Sequence, residues 1–229
     1  MEDVVLLLKK QGWDVTEVLC IGAEAVVCKV DFLGKDAVLK FRIPKSYRIE
    51  HIDAMIRRKR TQMEALILKR VKEAGIKAPC VLYLDLQRCM IIMEYIHGLL
   101  LKEVLNKDLA DWEKIARMLG RYVAFMHEND IVHGDLTTSN IFYSDGDLIF
   151  FDFGLGDFTN DIEDKAVDLE LLYRVFLSSH TKICKDFMNT FLESYKLHCS
   201  QAEEIIARFR RIRLMGRYFA KRYIGKNPN

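Results

Sequence analysis

The chain has 229 residues and a formal net charge of +2 at pH 7, with half of its residues hydrophobic and 30% charged. This composition is that of an ordinary globular protein with a substantial core, so it excludes a disordered chain. The near-neutral charge identifies no class of partner by itself.

Six cysteines occur without any C-x-x-C pair, and several lie in apolar runs. The sequence therefore predicts neither a disulfide framework nor a zinc site, and it indicates a reducing, intracellular location. The apolar run at residues 4–8 is too short for a membrane span, and acidic residues precede it where a signal peptide needs basic ones. We expect a soluble cytoplasmic protein without membrane contact, present also in the nucleus if its source is eukaryotic.

Within the first hundred residues the pattern predicts five strands and one helix inserted after the third strand. The turn at Gly34-Lys35 suits a hairpin, Pro44 ends the strand region because proline cannot donate to a ladder, and Gly75 ends the helix. The predicted elements are a short helix over residues 2–11, strands over 15–20, 25–31 and 36–41, a helix over 52–74, and strands over 81–85 and 89–95.

The rest of the chain is predicted to be mainly helical, with an apolar run before Asp152 that is typical of a strand. We place a lobe boundary at His97-Gly98, which divides a single domain into an N-lobe over residues 1–97 and a C-lobe over residues 98–229. The predicted helices of the second lobe cover residues 111–128, 163–177, 182–198 and 202–223.

Two polar motifs flank this strand: H-G-D-L-T-T-S-N at residues 133–140 and D-F-G at residues 152–154. Protein kinases use H-R-D-L-x-x-x-N followed by D-F-G, with one Asp as the base and the Asn and second Asp on Mg²⁺. The sequence thus predicts Asp135 as the catalytic carboxylate and Asn140 and Asp152 as metal ligands. A polar turn that caps a helix would explain either motif alone, but their combination favours a phosphoryl-transfer site.

In the N-terminal half, A-V-L-K at residues 37–40 matches the V-A-I-K lysine pattern of the third kinase strand, and Glu64 on the inserted helix is the expected carboxylate partner of Lys40. Both are predicted to act in catalysis by holding the α- and β-phosphates of ATP. The turn between the first two strands stands where kinases carry a glycine-rich loop, although it has one glycine. The predicted nucleotide-binding residues are Ile21, Gly22, Ala23, Glu24, Ala25, Val38, Lys40, Glu94 and Ile96.

These features predict an α+β protein with a bilobal protein-kinase-like fold. Its N-lobe has five strands with one inserted helix, and its C-lobe is reduced and mainly helical. ATP and Mg²⁺ are the expected cofactors.

The chain resembles the PRPK family, the small atypical serine/threonine kinases of the KEOPS complex, which are related to the RIO kinases. The resemblance covers about residues 13–217 and rests on G-A-E-A at 22–25, M-E-Y-I at 93–96, H-G-D-L-T-T-S-N at 133–140 and E-D-K-A-V-D-L at 163–169. It implies Mg-ATP binding, autophosphorylation or ATP hydrolysis, and membership of an assembly that makes threonylcarbamoyl-adenosine in tRNA. It also implies docking on the tRNA threonylcarbamoyltransferase subunit and a small regulatory subunit.

Only fifteen residues separate Asp152 from Asp168, and they contain no A-P-E sequence. A typical kinase has a longer activation segment there, which forms a peptide platform and carries a phosphosite. We therefore expect poor recognition of long peptides and control by a bound partner. Asp168 is expected to anchor the catalytic loop rather than to bind metal.

The C-terminal region is basic, because no acidic residue follows Glu204. Such a cluster can contact tRNA phosphates, form an ordinary solvated helix face or dock an acidic partner, and the sequence leaves these three interpretations open. The basic residues are Arg208, Arg210, Arg211, Arg213, Arg217, Lys221, Arg222 and Lys226.

Two other classes of protein remain as alternatives. One is a small-molecule phosphotransferase of the aminoglycoside- or choline-kinase type, which shares H-G-D-x-x-x-x-N but needs a larger helical lobe. The other is a kinase fold that serves only as a scaffold. The intact set of Lys40, Asp135, Asn140 and Asp152 argues against the scaffold, because an idle fold has no chemical need for all four.

Overall fold

The computed structural model describes Leu8 and residues 12–224, with side chains up to residue 215. Apart from Leu8, the predicted helix over residues 2–11 lies outside the described residues. The chain falls into two compact units. The first comprises the residues up to 73 together with 78–97, and the second comprises residues 74–77 and those from 98 onward.

The first unit is an antiparallel sheet with one helix, in the strand order β1-β2-β3-β5-β4. Five strands with a helix after the third are as the sequence predicts. The elements are β1 (Val15–Ile21), β2 (Ala25–Asp31), β3 (Asp36–Arg42), α1 (Glu50–Glu73), β4 (Val81–Asp85) and β5 (Met90–Glu94).

The hairpin between β2 and β3 turns one residue earlier than predicted. Leu33 and Gly34 both have positive φ, 57° and 77°, and the backbones of Phe32 and Lys35 bond each other on either side. Two central residues with positive φ form the turn type that matches strand twist, and glycine adopts this conformation without strain.

The two faces of β3 have different chemistry because side chains alternate along a strand. Ala37, Leu39 and Phe41 are buried in an apolar cluster with residues of β2 and β5. On the opposite face, Lys40 and Arg42 lie beneath α1. The period-2 pattern of the strand thus places both cations against one helix.

The second unit is mainly helical, with two small sheets. The sequence analysis predicted the strand before Asp152 but missed the other short elements, since strands of two to four residues give little periodic signal. The elements are β6 (Leu99–Leu100), α2 (Leu101–Asn106), α3 (Trp112–Glu128), β7 (Ile131–Val132), β8 (Ile141–Ser144), β9 (Asp147–Phe150), β10 (Asp157–Phe158), α4 (Ile162–Ser179), α5 (Cys184–His198) and α6 (Ala202–Ile224).

The helices of the second unit begin and pack for identifiable reasons. The carboxylate of Asp111 caps α3 by accepting from the backbone of Glu113 at 2.9 Å, and Asp161 caps α4 in the same way. A Cβ at Gly120 would lie 2.4 Å from the carbonyl oxygen of Phe191, so α3 and α5 pack at a distance that only glycine permits.

Within the described residues, none of the helices is both long and apolar enough to cross a membrane.

Candidate active site

One buried carboxylate of α1 binds two cations of β3. Lys40 Nζ lies 2.6 Å from Oε1 of Glu64, and Nη2 of Arg42 lies 2.6 Å from Oε2. Glu64 is 1% exposed, and both cations are buried. The sequence predicts the contact between Lys40 and Glu64 but not the contribution of Arg42. The catalytic roles of Lys40 and Glu64 stay predictions.

Basic side chains that follow β3 hold the turn between β1 and β2. Lys45 Nζ donates to the carbonyl oxygen of Ala23, and Nη1 of Arg60 donates to Oε2 of Glu24 at 2.8 Å. Arg48 Nη2 lies 3.7 Å from the other oxygen of Glu24. The carboxylate that the sequence places in the nucleotide loop is therefore ion-paired within the first unit.

The glycine of this turn is not required by the packing of the protein itself. Gly22 N donates to the carbonyl oxygen of Ala25 at 2.9 Å. A Cβ at Gly22 would meet only that oxygen, at 3.5 Å, which is an ordinary contact. A glycine without a steric reason is consistent with close approach of a ligand to the backbone. The neighbouring Ile21 is 45% exposed.

The segment after β5 is predicted to face adenine. The backbone N–H of Glu94 donates to the carbonyl oxygen of Cys80 at 2.9 Å, so this N–H is not available to a base. Ile96 is half-buried in irregular structure. Val38 packs with Ala65 and the strand β5. The nucleotide-binding role of these residues stays a prediction.

In the second unit, the carboxylate of Asp168 on α4 holds the loop that follows β7. Its Oδ2 accepts from the backbone N–H of His133 at 2.6 Å, and its Oδ1 accepts from that of Gly134 at 2.9 Å. Asp168 is 1% exposed, so both bonds are shielded from water. The predicted anchoring role of Asp168 is confirmed.

Only glycine fits at position 134, because of its backbone conformation and its close packing. Its φ is +76°, and a Cβ there would lie 2.1 Å from the carbonyl oxygen of Leu155. The loop before Asp135 and the backbone after Asp152 are therefore in direct contact.

Asp135 and Asn140 of the polar motif are in direct contact. The amide nitrogen of Asn140 donates to the backbone oxygen of Asp135 at 2.9 Å and to its Oδ2 at 2.8 Å. Because the nitrogen makes both bonds, the amide oxygen of Asn140 remains as the acceptor for a cation. Asp135 is half-buried, and one of its two carboxylate oxygens is engaged with Asn140.

The buried ring of His133 supports this loop in its neutral form. Nε2 donates to the carbonyl oxygen of Phe151 at 3.2 Å, and Nδ1 accepts from the backbone N–H of Asp135 at 3.4 Å. The ring also packs on Phe153. Burial lowers the pKa of His133 from its ordinary value of 6.5, against the raising effect of nearby carboxylates led by that of Asp168.

Asp152 has a φ of 60°, in the left-handed region that most side chains avoid. Its Oδ1 accepts from the backbone N–H of Gly154 at 3.4 Å, and the residue is exposed. Asp tolerates this conformation better than bulky residues because its short polar side chain bonds locally.

The donor set of Asn140 and Asp152 suits Mg²⁺, which prefers oxygen ligands and commonly takes one or two from protein and the rest from phosphates and water. No three His, Cys, Asp or Glu side chains in the described part of the chain lie close enough to hold a metal by themselves. The two side-chain oxygens of Asn140 and Asp152 fit a cation whose other ligands are phosphate and water. The assignment of Asn140 and Asp152 as metal ligands stays a prediction.

The segment after D-F-G is short and ordered by pairing. Asp157 and Phe158 form β10 on β7, and α4 begins at Ile162. Thr159 N donates to the carbonyl oxygen of Asp130 at 2.8 Å. Poor recognition of long peptides stays a prediction.

The described C-terminal arginines differ in their surroundings. Arg208 forms an ion pair with Glu163, and Arg213 stacks on the ring of Tyr173 at 3.7 Å and donates to its hydroxyl at 2.6 Å. The side chains of Arg210 and Arg211 are both exposed. The side chains from residue 216 onward lie outside the described part.

Comparison with known proteins identifies the family. A sequence profile of the RIO domain matches residues 30–156. The chain is 42% identical over 212 residues to the KEOPS complex subunit Bud32 of Pyrococcus abyssi (strain GE5 / Orsay), and the match covers 89% of this chain and 96% of that protein. The chain belongs to the Bud32 family of RIO-domain proteins. The resemblance predicted from the motifs is therefore confirmed.

The Bud32-family chain also matches part of a longer protein. It is 41% identical over 198 residues to a probable bifunctional tRNA threonylcarbamoyladenosine biosynthesis protein of Methanobrevibacter smithii, across 86% of this chain and 36% of that protein. The chain thus spans about a third of the length of this relative.

The fold agrees with this family. The Rio2 kinase of Chaetomium thermophilum, solved as an ADP/Mg²⁺-phosphoaspartate complex, superposes with a TM-score of 0.55 at 19% identity, covering 90% of this chain and 74% of that one. The predicted α+β, protein-kinase-like fold of this Bud32-family member is confirmed.

The sequence analysis did not predict the contacts of Arg42, Arg48 and Arg60 with carboxylates that it had singled out. For Arg42 a signal existed, because it stands two residues after Lys40 on the same strand and must share its face. Arg48 and Arg60 had none, since their contacts with Glu24 depend on tertiary structure.

Proposed function

We propose that this Bud32-family chain is the kinase-like subunit of a KEOPS-type assembly that supports threonylcarbamoyl-adenosine modification of tRNA. It binds Mg-ATP and either hydrolyses it or transfers the γ-phosphoryl group to a serine or threonine hydroxyl, including its own. Two relatives support the assembly and the pathway: one is named a KEOPS complex subunit, and the other a probable bifunctional tRNA threonylcarbamoyladenosine biosynthesis protein.

The observation that carries the chemical part of the proposal is the anchored loop of the second unit. The carboxylate of Asp168 fixes the backbone of His133 and Gly134, and Asn140 fixes the side chain of Asp135. Phosphoryl transfer needs positioning more than covalent chemistry, so a rigid loop of this kind suits it. In this proposal Asp135 accepts the proton of the acceptor hydroxyl or water.

The proposed roles of Asn140, Asp152 and Lys40 follow from the chemical groups that their side chains offer to Mg-ATP. Mg-ATP supplies the phosphoryl group and the charge of the cation. Asn140 and Asp152 offer oxygen ligands to that cation, while Lys40, held by Glu64, offers an ammonium group to the phosphates. We further propose that the two compact units are the N-lobe and C-lobe of a single domain, with the turn at residues 21–25 and the segment at residues 94–96 contacting the nucleotide.

ATP turnover by the purified chain, alone and with the transferase and regulatory subunits, tests the proposal. We expect self-phosphorylation and slow ATP hydrolysis by the chain alone, weak activity on generic peptides, and faster turnover with the transferase subunit. Because binding coupling is reciprocal, Mg-ATP should change the affinity for that subunit by about 5- to 150-fold. Efficient phosphorylation of arbitrary peptides, or a partner without effect on turnover or affinity, would contradict the proposal. Transfer to a small alcohol or amino sugar would favour the small-molecule phosphotransferase.

The metal assignment predicts that Asp152→Ala loses the Mg²⁺-dependent part of nucleotide binding and that Asn140→Ala weakens it. Both variants remove an oxygen ligand. Calorimetric titration of ADP with and without Mg²⁺ measures the effect. Asp145→Ala is the matched control, because Asp145 is also exposed and has a similar φ of 52°. A wild-type Mg²⁺ response of the Asp152 variant would show that the assignment is wrong.

A contact with tRNA through the basic C-terminal region is a separate part of the proposal, supported by the exposure of Arg210 and Arg211. Replacing both by glutamate should weaken tRNA binding and reduce the slope of log K against log salt by roughly 1 for each phosphate that the variant no longer neutralises. Arg213 is unsuitable for this test, since its guanidinium is bound to Tyr173. Lys182 and Lys185 changed to glutamate provide a control with the same charge change on an exposed surface. An unaltered slope in the Arg210 and Arg211 variant would leave these arginines as a solvated or protein-docking face.

A further inference from the structure

The carboxylate of Glu64 is divided between two cations. One oxygen binds Lys40 and the other binds Arg42, each at 2.6 Å. Glu64 and Arg42 are 1% and 4% exposed. The contact with Arg42 is therefore a buried one, made through a different oxygen of Glu64 from the 2.6 Å contact with Lys40.

Breaking the contact between Glu64 and Arg42 is unfavourable. Separating two charges that are both buried leaves each without compensation in a medium of low polarity, which is strongly destabilising. A movement of α1 that withdrew Glu64 from Lys40 would have to break this second contact as well. The double contact thus opposes displacement of the helix.

A second connection joins the same strand and helix two to three turns earlier along α1. Nη1 of Arg57 lies 3.5 Å from the carbonyl oxygen of Arg42, and its Nε donates to Oδ2 of the buried Asp53 at 2.6 Å. The hydrogen bond from Arg57 lowers the pKa of Asp53, which therefore stays ionised. Residues 53–64 of α1 are held on β3 by side chains other than Lys40.

In protein kinases the lysine–glutamate pair must be in place for activity, and the position of the helix controls it. We propose that Arg42 is a positioning residue that keeps Glu64 beside Lys40 whether or not nucleotide is bound, so that this pair does not serve as the switch of the enzyme. The inference rests on the proposed function, because the pair matters only if Lys40 contacts phosphates. Control by a partner must then act elsewhere in the chain.

The test compares Arg42→Met with Arg88→Met, which removes an exposed arginine paired with Asp85 in the same unit. Without Arg42, only a fraction of the molecules holds Lys40 in place, and the apparent affinity falls by that fraction. We expect KM for ATP and Kd for a fluorescent ADP analogue to rise about tenfold, with kcat within about twofold because saturating nucleotide restores the pair. Amide exchange across residues 57–64 without nucleotide should be faster in Arg42→Met and unchanged in Arg88→Met.

The outcomes distinguish a positioning role of Arg42 from a purely structural one. A general loss of folded protein would lower kcat per molecule and leave KM unchanged, and that result overturns the inference, as does an unchanged Kd. If Arg42→Met does not fold, the same constants are measured for Arg42→Lys. A roughly threefold rise in KM for ATP supports the inference, and an unchanged KM overturns it. Absence of ATP turnover in the wild-type chain with its partners would instead contradict the proposed function.

Discussion

Asp135→Asn is expected to lower phosphoryl transfer by about 10²- to 10⁴-fold, the range typical of a general base. The amide cannot accept the proton of the acceptor hydroxyl, yet its oxygen can still accept the bond from Asn140 that holds the side chain at 2.8 Å in the wild type. Folding and nucleotide affinity should therefore change little, since a base contributes little to holding ATP.

Radioactive phosphate incorporation and the Kd of a fluorescent ADP analogue, measured on the same preparation, check this expectation. Asp186→Asn is the control, because Asp186 is exposed in the first turn of α5 and its replacement makes the same chemical change. Wild-type transfer by Asp135→Asn would remove Asp135 from the catalytic role. Equal loss in the control would indicate a nonspecific effect.

Asp168→Ala is expected to reduce the free energy of unfolding by about 2–6 kcal/mol, from about 1–3 kcal/mol for each buried donor left without an acceptor. The backbone N–H groups of His133 and Gly134 both lose their partner, which is 1% exposed in the wild type. The loop before Asp135 should then lose its fixed position, and transfer should fall with stability.

A second variant, Asp168→Asn, tests whether stability falls in proportion to the hydrogen bonds lost. Asp168→Asn keeps one acceptor oxygen and turns an NH₂ group toward the other donor, so its loss of stability should be intermediate. Urea unfolding of both variants and of Asp186→Ala provides the comparison. If Asp168→Ala unfolds at the wild-type urea concentration, the two hydrogen bonds contribute nothing to stability, and the anchoring role has no energetic basis.

The sequence predicts the larger elements well because their signals are local. The apolar side chains of α3 recur at helical spacing, and Gly75 stands two residues after the last residue of α1, so each signal lies within a few residues of the feature that it determines. The strands β7 and β10 could not be found in the same way. Each has two residues, and each exists because the other lies beside it.

In the candidate site, too, the features with a local sequence signal were predicted and those that depend on tertiary structure were not. Spacing along the chain is enough to single out Asp135 and Asn140, which are five residues apart and in contact. The ion pairs of Glu24 with Arg48 and Arg60 join positions 24 and 36 residues apart, and nothing local requires them. The backbone strain at Asp152 is equally invisible to sequence, because the motif gives its identity and not its φ of 60°.

The contact of Gly134 with the carbonyl of Leu155 has a mechanical consequence. Because there is no space for even one carbon atom between them, the backbone that carries Asp135 and the backbone that follows Asp152 cannot shift independently at this point. The side chain of Leu155 is 59% exposed. A partner that pressed on this leucine from outside would displace the loop that carries Asp135 directly, through a single van der Waals contact and without a long chain of side-chain contacts.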